Sequence, residues 1–340
     1  MPRHRLSFNS HHLRGMRPVY CVLLICLSVL LPVVGGAAGE KVRVAVLKYG
    51  TVSWEMEIIK HHALDQAAGF TLEPVVLAST QATLVALQAG DVDIAVTDWI
   101  WVSRQRASGK PYTFVPYSSA VGALVVPASS DIHSLSDLKG KRLGVGGGPV
   151  DKSWLIFRAL SLQERGRDLL EEVTPLHAAP PLLNQQLIQG RLDAVINFWP
   201  YVARLEAMGM RKLLGVEQAA RKLGIAHSVP LVGYVFDQHW ARRNHAALDG
   251  FITAVSKAKD LMKTSDEAWL PLRPLMRVPD DATFVALRQG FRSGIPAHWG
   301  GREREDAAKL FALLGKLGGS RLVGESGTLS EGTFWPDVNY

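Results

Sequence analysis

The chain has 340 residues, 47% of them hydrophobic, and 38 Lys and Arg against 31 Asp and Glu, a formal charge of +7. That length and apolar content can bury a core or two and favour two lobes, because single cores seldom grow past ~250–300 residues. Four arginines (Arg3, Arg5, Arg14 and Arg17) precede the first acid, so beyond them the charge is +7 − 4 = +3, and a nucleic-acid partner is not indicated.

Those arginines form a basic segment, Val19 to Val34 an apolar one, and Gly35-Gly36-Ala37-Ala38-Gly39 a run of small residues. This order predicts a signal peptide over residues 1–38, cleaved on export to the periplasm. The apolar run is shorter than the roughly twenty residues a membrane span needs. Both cysteines, Cys21 and Cys26, lie inside it. The mature chain is therefore expected to have no disulfide, no thiolate metal site and no Cys nucleophile.

Beyond the leader, Val42 to Leu47 reads as a buried strand, Trp54 to Ala68 as a helix and Leu72 to Leu77 as the next strand. Thr80 to Ala89 follows as a helix and Val92 to Val96 as a strand. Tyr112 to Pro127 carries two strand-like runs that leave the first lobe. Leu135 to Arg142 is a turn or short helix before the strand Leu143 to Val145. The turn Gly146-Gly147-Gly148-Pro149 opens a helix running to about Leu162. Val229 to Phe236 returns as a crossover strand, and helices are predicted over Ala246 to Lys263, Asp281 to Phe291 and Arg304 to Leu317. Strands alternating with helices of about ten residues predict a mostly parallel, helix-covered sheet. The Gly/Ser-rich C-terminal tail is expected to be disordered.

One segment occurs twice at an offset of one hundred residues. Leu87 to Trp99 and Leu187 to Trp199 share the order helix, Gly (Gly90 or Gly190), two residues, Asp (Asp93 or Asp193), strand, Trp; Ser53-Trp54 and Ser153-Trp154 repeat at the same offset. Glycine suits the left-handed residue that ends a helix. Asp93 and Asp193 are expected to fix the turns before their strands. Trp54, Trp99, Trp154 and Trp199 all fall at or just past strand C-terminal ends, where open α/β sheets bind ligands. An indole there offers a flat face to apolar or cationic groups. At least two of the four are expected to touch ligand, and not all four.

The Gly146–Pro149 turn is the strongest anion-site candidate, since a helix start presents free N–H groups. Lys152 and Ser153 could add donors, whereas Asp151 could cap those N–H groups itself. The spacing in Gly144 to Gly148 does not give a dinucleotide fingerprint. Asp98 at a strand end suits an amine or cation, or else bonds its own loop; Asn197 takes the nearly equivalent place in the second copy. His61 and His62 are helix neighbours facing different ways, so they cannot share a metal. No metal or cofactor is expected, and no catalytic motif stands out.

With these features in place, the chain resembles the periplasmic substrate-binding proteins of ABC importers, in the nitrate/sulfonate/taurine-type family. Ala86 to Ala95, Leu135 to Val145 (with Asp137-Leu138-Lys139-Gly140-Lys141) and Gln189 to Ala194 carry the resemblance, which spans roughly residues 41–265. It implies an α/β fold of the two-lobed type II periplasmic-binding-protein kind, each lobe a mostly parallel sheet flanked by helices, with two crossover segments. Lobe 1 would comprise 41–125 plus 229–340 and lobe 2 126–228. It further implies a monomeric, non-enzymatic receptor that closes on a small-molecule solute and presents it to an ABC permease in the inner membrane. Carried over by position, the ligand residues are Tyr49, Thr51, Ser53, Trp54, Thr80, Gln81, Thr97, Asp98, Trp99, Gly147, Gly148, Asp151, Lys152, Ser153, Asn197, Phe198 and Trp199.

The chain departs from the family at Val150-Asp151-Lys152, where small hydroxyl residues would suit an oxyanion, and no arginine lies in the predicted loops to hold a sulfonate bidentately. An organic ligand with a flat or apolar part, a sulfonate or other small acid or amine, is therefore expected over a bare inorganic anion. The alternatives are a quaternary ammonium compound in an aromatic cage and an enzyme like the pyrimidine-precursor synthases. The enzyme is disfavoured because the mature chain lacks their cysteines.

Overall fold

The computed structural model describes residues 39–338; the leader expected over 1–38 lies outside the described residues. Among the described residues ten strands occur in chain order: β1 (Glu40–Leu47), β2 (Phe70–Leu77), β3 (Ala95–Asp98), β4 (Tyr112–Ser118), β5 (Gly122–Val126), β6 (Arg142–Gly146), β7 (Thr174–Ala178), β8 (Ala194–Phe198), β9 (Arg211–Gly215) and β10 (Val232–Asp237). One sheet has the order β7-β6-β8-β5-β9; two smaller ones are β1-β2 and β3-β10-β4. A parallel bridge between Val44 and Ile94 joins the smaller sheets at the edge of β1. The strands of that half then run β2-β1-β3-β10-β4, the same winding as in the five-stranded sheet. In each half the fourth strand, β10 or β5, is the antiparallel one.

The chain crosses from the small sheets between β4 and β5 and returns before β10. By its pairing β5 belongs to the five-stranded sheet. Val44, Ala45 and Val46 of β1, and Leu143 and Val145 of β6, are buried, as strands covered on both faces require.

The predicted helix Trp54 to Ala68 is two helices, Val52–His61 and Leu64–Ala67. They part at Ala63, which adopts a left-handed φ of 50°. The predicted helix after the glycine turn begins at Lys152, not Pro149. Among the described residues no helix is long and apolar enough to cross a membrane.

Two late helices tie the halves together. In Gly301–Gly318, Leu310, Phe311 and Leu314 enter one core with Trp99 and Val235 of the small-sheet half and with Leu143 and Ile196 of the other. In Asp281–Ser293, Gly290 lies so close to the Trp199 ring that an added Cβ would come within 2.8 Å of it.

The C-terminal tail is held in place, contrary to the composition-based expectation. Trp335 N–H donates to Phe114 O at 2.9 Å, Arg304 holds the Val338 carbonyl at 3.0 Å, and Thr333 and Trp335 are buried. Two aromatic anchors, Phe334 and Trp335, outweigh the glycines around them.

Candidate functional site

A cavity of about 1080 Å³ lies between the five-stranded sheet and the smaller sheets. Its walls come from both halves. The C-terminal ends of β1 and β3 and the helix Val52–His61 supply one side; the start of the helix Lys152–Arg165 and the helix Trp199–Ala207 supply the other. Local chemistry sets the frame at the strand ends. Asp98 caps the helix after β3 by accepting the Trp101 N–H at 2.9 Å, and Asp151 caps the helix after the glycine turn by accepting the Trp154 N–H at 3.2 Å.

Two of the four tryptophans reach the cavity wall and two do not. Trp54 and Trp199 line the cavity and meet edge to face, with ring centroids 6.2 Å apart at 86°. Trp99 and Trp154 are enclosed in the core. The Trp99 indole N–H donates to Pro230 O at 3.1 Å, and its ring packs against Phe311 and Phe334. Trp54 is buried in a core cluster and borders the cavity as well, whereas Trp199 is only partly buried there.

Of the other residues named from sequence, Tyr49, Thr51, Thr80, Thr97, Asp98, Asp151, Lys152, Ser153 and Phe198 line the cavity. Ser53, Gln81, Gly147, Gly148 and Asn197 do not. Ser53 Oγ donates to Gly50 O at 2.5 Å, and Gln81 is exposed on its helix. Asn197 is buried, donating to Pro180 O at 3.0 Å and Asn184 Oδ1 at 2.8 Å while accepting the Phe198 N–H at 2.9 Å. It secures its own loop. Gly147, at φ 89°, faces the Asp151 carboxylate, where an added Cβ would meet Oδ2 at 3.0 Å. The glycine turn therefore accommodates the protein's own carboxylate, and the N–H groups of the anion-site candidate are capped from within.

A charge pair spans the cavity. Lys152 Nζ lies 2.8 Å from Asp98 Oδ2, one residue from each half. Burial alone would raise the Asp98 carboxyl, but the Lys152 charge and the Trp101 N–H outweigh it and hold the pKa below its usual value. The same partnership raises Lys152 against the effect of burial. Burial raises Asp151, which Lys152 and the Ser153 and Trp154 N–H groups offset only in part. Asp98 is thus already neutralised and is not an open counter-charge for a ligand cation.

Behind the cavity wall lies a second charged cluster. Lys259 Nζ sits 2.7 and 2.9 Å from the two oxygens of Glu55, and the Tyr234 hydroxyl donates to Glu55 at 2.6 Å. Lys259 also lies 4.8 Å from the Tyr117 ring, whose hydroxyl donates to Thr51 Oγ1 at 3.1 Å. The cluster anchors the helix that carries Trp54 and connects it, through Tyr117 and Thr51, to the cavity surface.

Several lining residues lie outside the predicted loops, among them Tyr117, Tyr201, Arg204, Met208, Leu275 and Arg277. Tyr201, Arg204 and Met208 recur at helical spacing after Trp199, a periodic face that could have been read. Arg277 adopts a left-handed φ of 51° and reaches the cavity from a distant turn, which no local pattern marks.

A family model described as NMT1/THI5 like matches residues 66–268, more than half of the chain. The chain belongs to the NMT1/THI5-like family. This member resembles, at 20% identity, the periplasmic aliphatic sulphonate binding protein SsuA from Escherichia coli, with a TM-score of 0.69 over 88% of this chain and 92% of that one. It also resembles the alkanesulfonate-binding protein SsuA from Xanthomonas axonopodis pv. citri bound to MOPS, at 18% identity and a TM-score of 0.67, covering 88% and 99%. The periplasmic nitrate-binding protein NrtA from Synechocystis PCC 6803 is more distant: 12% identity, TM-score 0.55, covering 77% and 71%. No curated protein matches the sequence. The NMT1/THI5-like chain accordingly has the periplasmic-binding-protein fold that its sequence leads one to expect.

Proposed function

We propose that this NMT1/THI5-like protein is a periplasmic solute receptor. It captures a small organic molecule between its two lobes and delivers it, without catalysis, to an ABC permease in the inner membrane. The observation that carries this reading is the cavity of about 1080 Å³ walled by both halves, where an indole from each meets the other edge to face. Ligand sites of this size, mostly apolar with a few convergent polar groups, suit small molecules. The fold likeness to sulfonate-binding proteins lends support.

Within this reading, aromatic and aliphatic walls favour a ligand with a flat or apolar body over a bare inorganic anion. The indole pair also gives the quaternary ammonium alternative a foothold, but it lacks two parts of a cage. Asp98 is already paired with Lys152, and Lys259 already occupies one face of Tyr117.

The test is a thermal-shift screen of purified mature protein against sulfonates, carboxylates, amines, choline-like cations and nitrate. A ligand at a hundred times its Kd stabilises the native state by roughly 2.7 kcal/mol. Organic members with apolar bodies are expected to raise Tm. A shift with nitrate alone would overturn the organic-ligand reading, and a shift with choline alone would replace it by the cage.

A further inference from the structure

The cavity holds cations of two kinds, distinguished by whether the protein already neutralises them. Lys152 is paired with Asp98 at 2.8 Å. Arg204 is not paired. It donates to two main-chain carbonyls, Met276 O at 2.7 Å and Arg277 O at 3.4 Å, and no ion pair among the described residues involves it. A guanidinium carries five N–H donors, so most of its capacity remains unused. Burial lowers the Arg204 pKa, and Tyr201 is the one titratable group opposing that shift. A partly desolvated cation without a counter-ion is costly, and a bound anion offsets that cost.

The place of Arg204 in the cavity gives the ligand a direction. Tyr49, Met208 and Leu275 line the cavity yet are exposed, so they mark its mouth. Arg204 lies one helical turn before Met208. Arg277 stacks on Tyr49, its guanidinium carbon 4.2 Å from the ring centroid, and its carbonyl accepts from Arg204, which sets the two residues side by side. Asp280 lines the same region, but its carboxylate caps the next helix by accepting the Thr283 N–H at 2.7 Å. Trp54, Thr97, Tyr117 and Ser153 are buried and form the inner wall, beside the Asp98–Lys152 pair.

We infer that the ligand is an elongated organic acid bound with its acid group outward, held by Arg204 and Arg277 at the cavity mouth, while its flat or apolar body enters between Trp54, Trp199 and Tyr117. This assignment rests on the receptor reading above. It gives the acid-holding role to two arginines outside the glycine turn and leaves Lys152 to Asp98.

The experiment is calorimetry with ω-phenylalkane sulfonates and carboxylates of increasing chain length, the neutral primary amides of the carboxylates, and the matching ammonium compounds. Wild type is expected to prefer an acid over its amide by roughly 10–100-fold, the range for a charge-assisted pair. Arg204→Gln is expected to cut that preference several-fold, lowering acid affinity more than amide affinity, with Arg277 keeping the remainder; Arg204→Lys, which keeps the charge, retains more of it. A merely structural role would lower acid and amide affinity together, and Tm without ligand reports whether each variant folds. An unchanged acid-to-amide ratio in Arg204→Gln, or a wild-type preference for amide or ammonium, overturns the inference and leaves the receptor reading standing. Absence of binding by every compound to wild type overturns both.

Discussion

The two halves of the molecule begin their strands with the same clamp and then part ways. In the small-sheet half, Arg43 at β1 holds Asp93 through its main-chain N–H at 2.8 Å and its guanidinium at 3.1 and 2.6 Å, while Asp93 N–H returns to Arg43 O at 2.9 Å. In the other half, Arg142 at β6 holds Asp193 through the same three contacts at 2.8, 3.0 and 2.6 Å, with the same return bond at 2.9 Å. The winding of strands is also shared. What differs is the cover each half receives from later segments. The Trp99 ring is sealed by Phe311 and Phe334, whereas Trp199 meets Phe291 and Trp54 and stays at the cavity. Glu55 and Leu155 follow equivalent tryptophans and are both buried, yet Glu55 pairs with Lys259 while Leu155 packs near Gly318. A repeated scaffold thus leaves function to whatever is laid over it.

The division of the tryptophans can be broken most directly by truncation. Trp99→Ala should lose about 3–5 kcal/mol of stability, the usual cost of emptying a large core position. Trp199→Ala should weaken ligand binding by roughly ten-fold or more, as for a buried aromatic anchor, with a much smaller stability loss. Denaturant unfolding and calorimetry on both variants separate the two effects. Equal stability losses would mean that the halves do not differ as described.

The Glu55–Lys259 pair sharpens the contrast with Leu155. Removing one partner leaves an uncompensated buried charge, so Glu55→Leu or Lys259→Met alone should cost about 3–5 kcal/mol. The double variant, which makes this half as apolar as the other, should recover most of that loss. Strictly additive losses in a double-mutant cycle would show that the ion pair is not the unit.

The clamps give the smallest expected effect. The Asp93 side chain is 7% exposed and that of Asp193 is 29%. Asp93→Asn should therefore cost about 1.5–3 kcal/mol, in the range for a buried charged hydrogen bond. Asp193→Asn should cost about 1 kcal/mol or less, closer to an exposed pair. A larger loss at Asp193 in urea titrations would reverse the ranking.

Much of this was legible in the chain. The hundred-residue repeat, the glycine-ended helices and the turn-fixing role of Asp93 and Asp193 all follow from local pattern and appear in the fold. Trp99 and Trp199 directly follow β3 and β8, as expected, whereas Trp54 and Trp154 lie in the first turns of the helices after β1 and β6. The orientation of each indole was not legible, because Trp99 is covered by residues more than two hundred positions away. Local pattern leaves Asp98 free to face a cation or its own loop; it bonds its own helix start and also reaches Lys152 in the other half. The lack of an arginine in the predicted loops argued against an acid clamp, yet Arg204 and Arg277 enter the cavity from outside those loops.

The sequence by itself determined the α/β alternation and most of the strands and turns in chain order, though not β7 and β9, since period, capping and glycine conformation act over a few residues. Only the tertiary structure decided which residues face the cavity, which charges are neutralised across it and which remain open. Those outcomes depend on contacts between segments far apart in the chain, chosen by the packing of whole faces, for which no short stretch of sequence carries a signature.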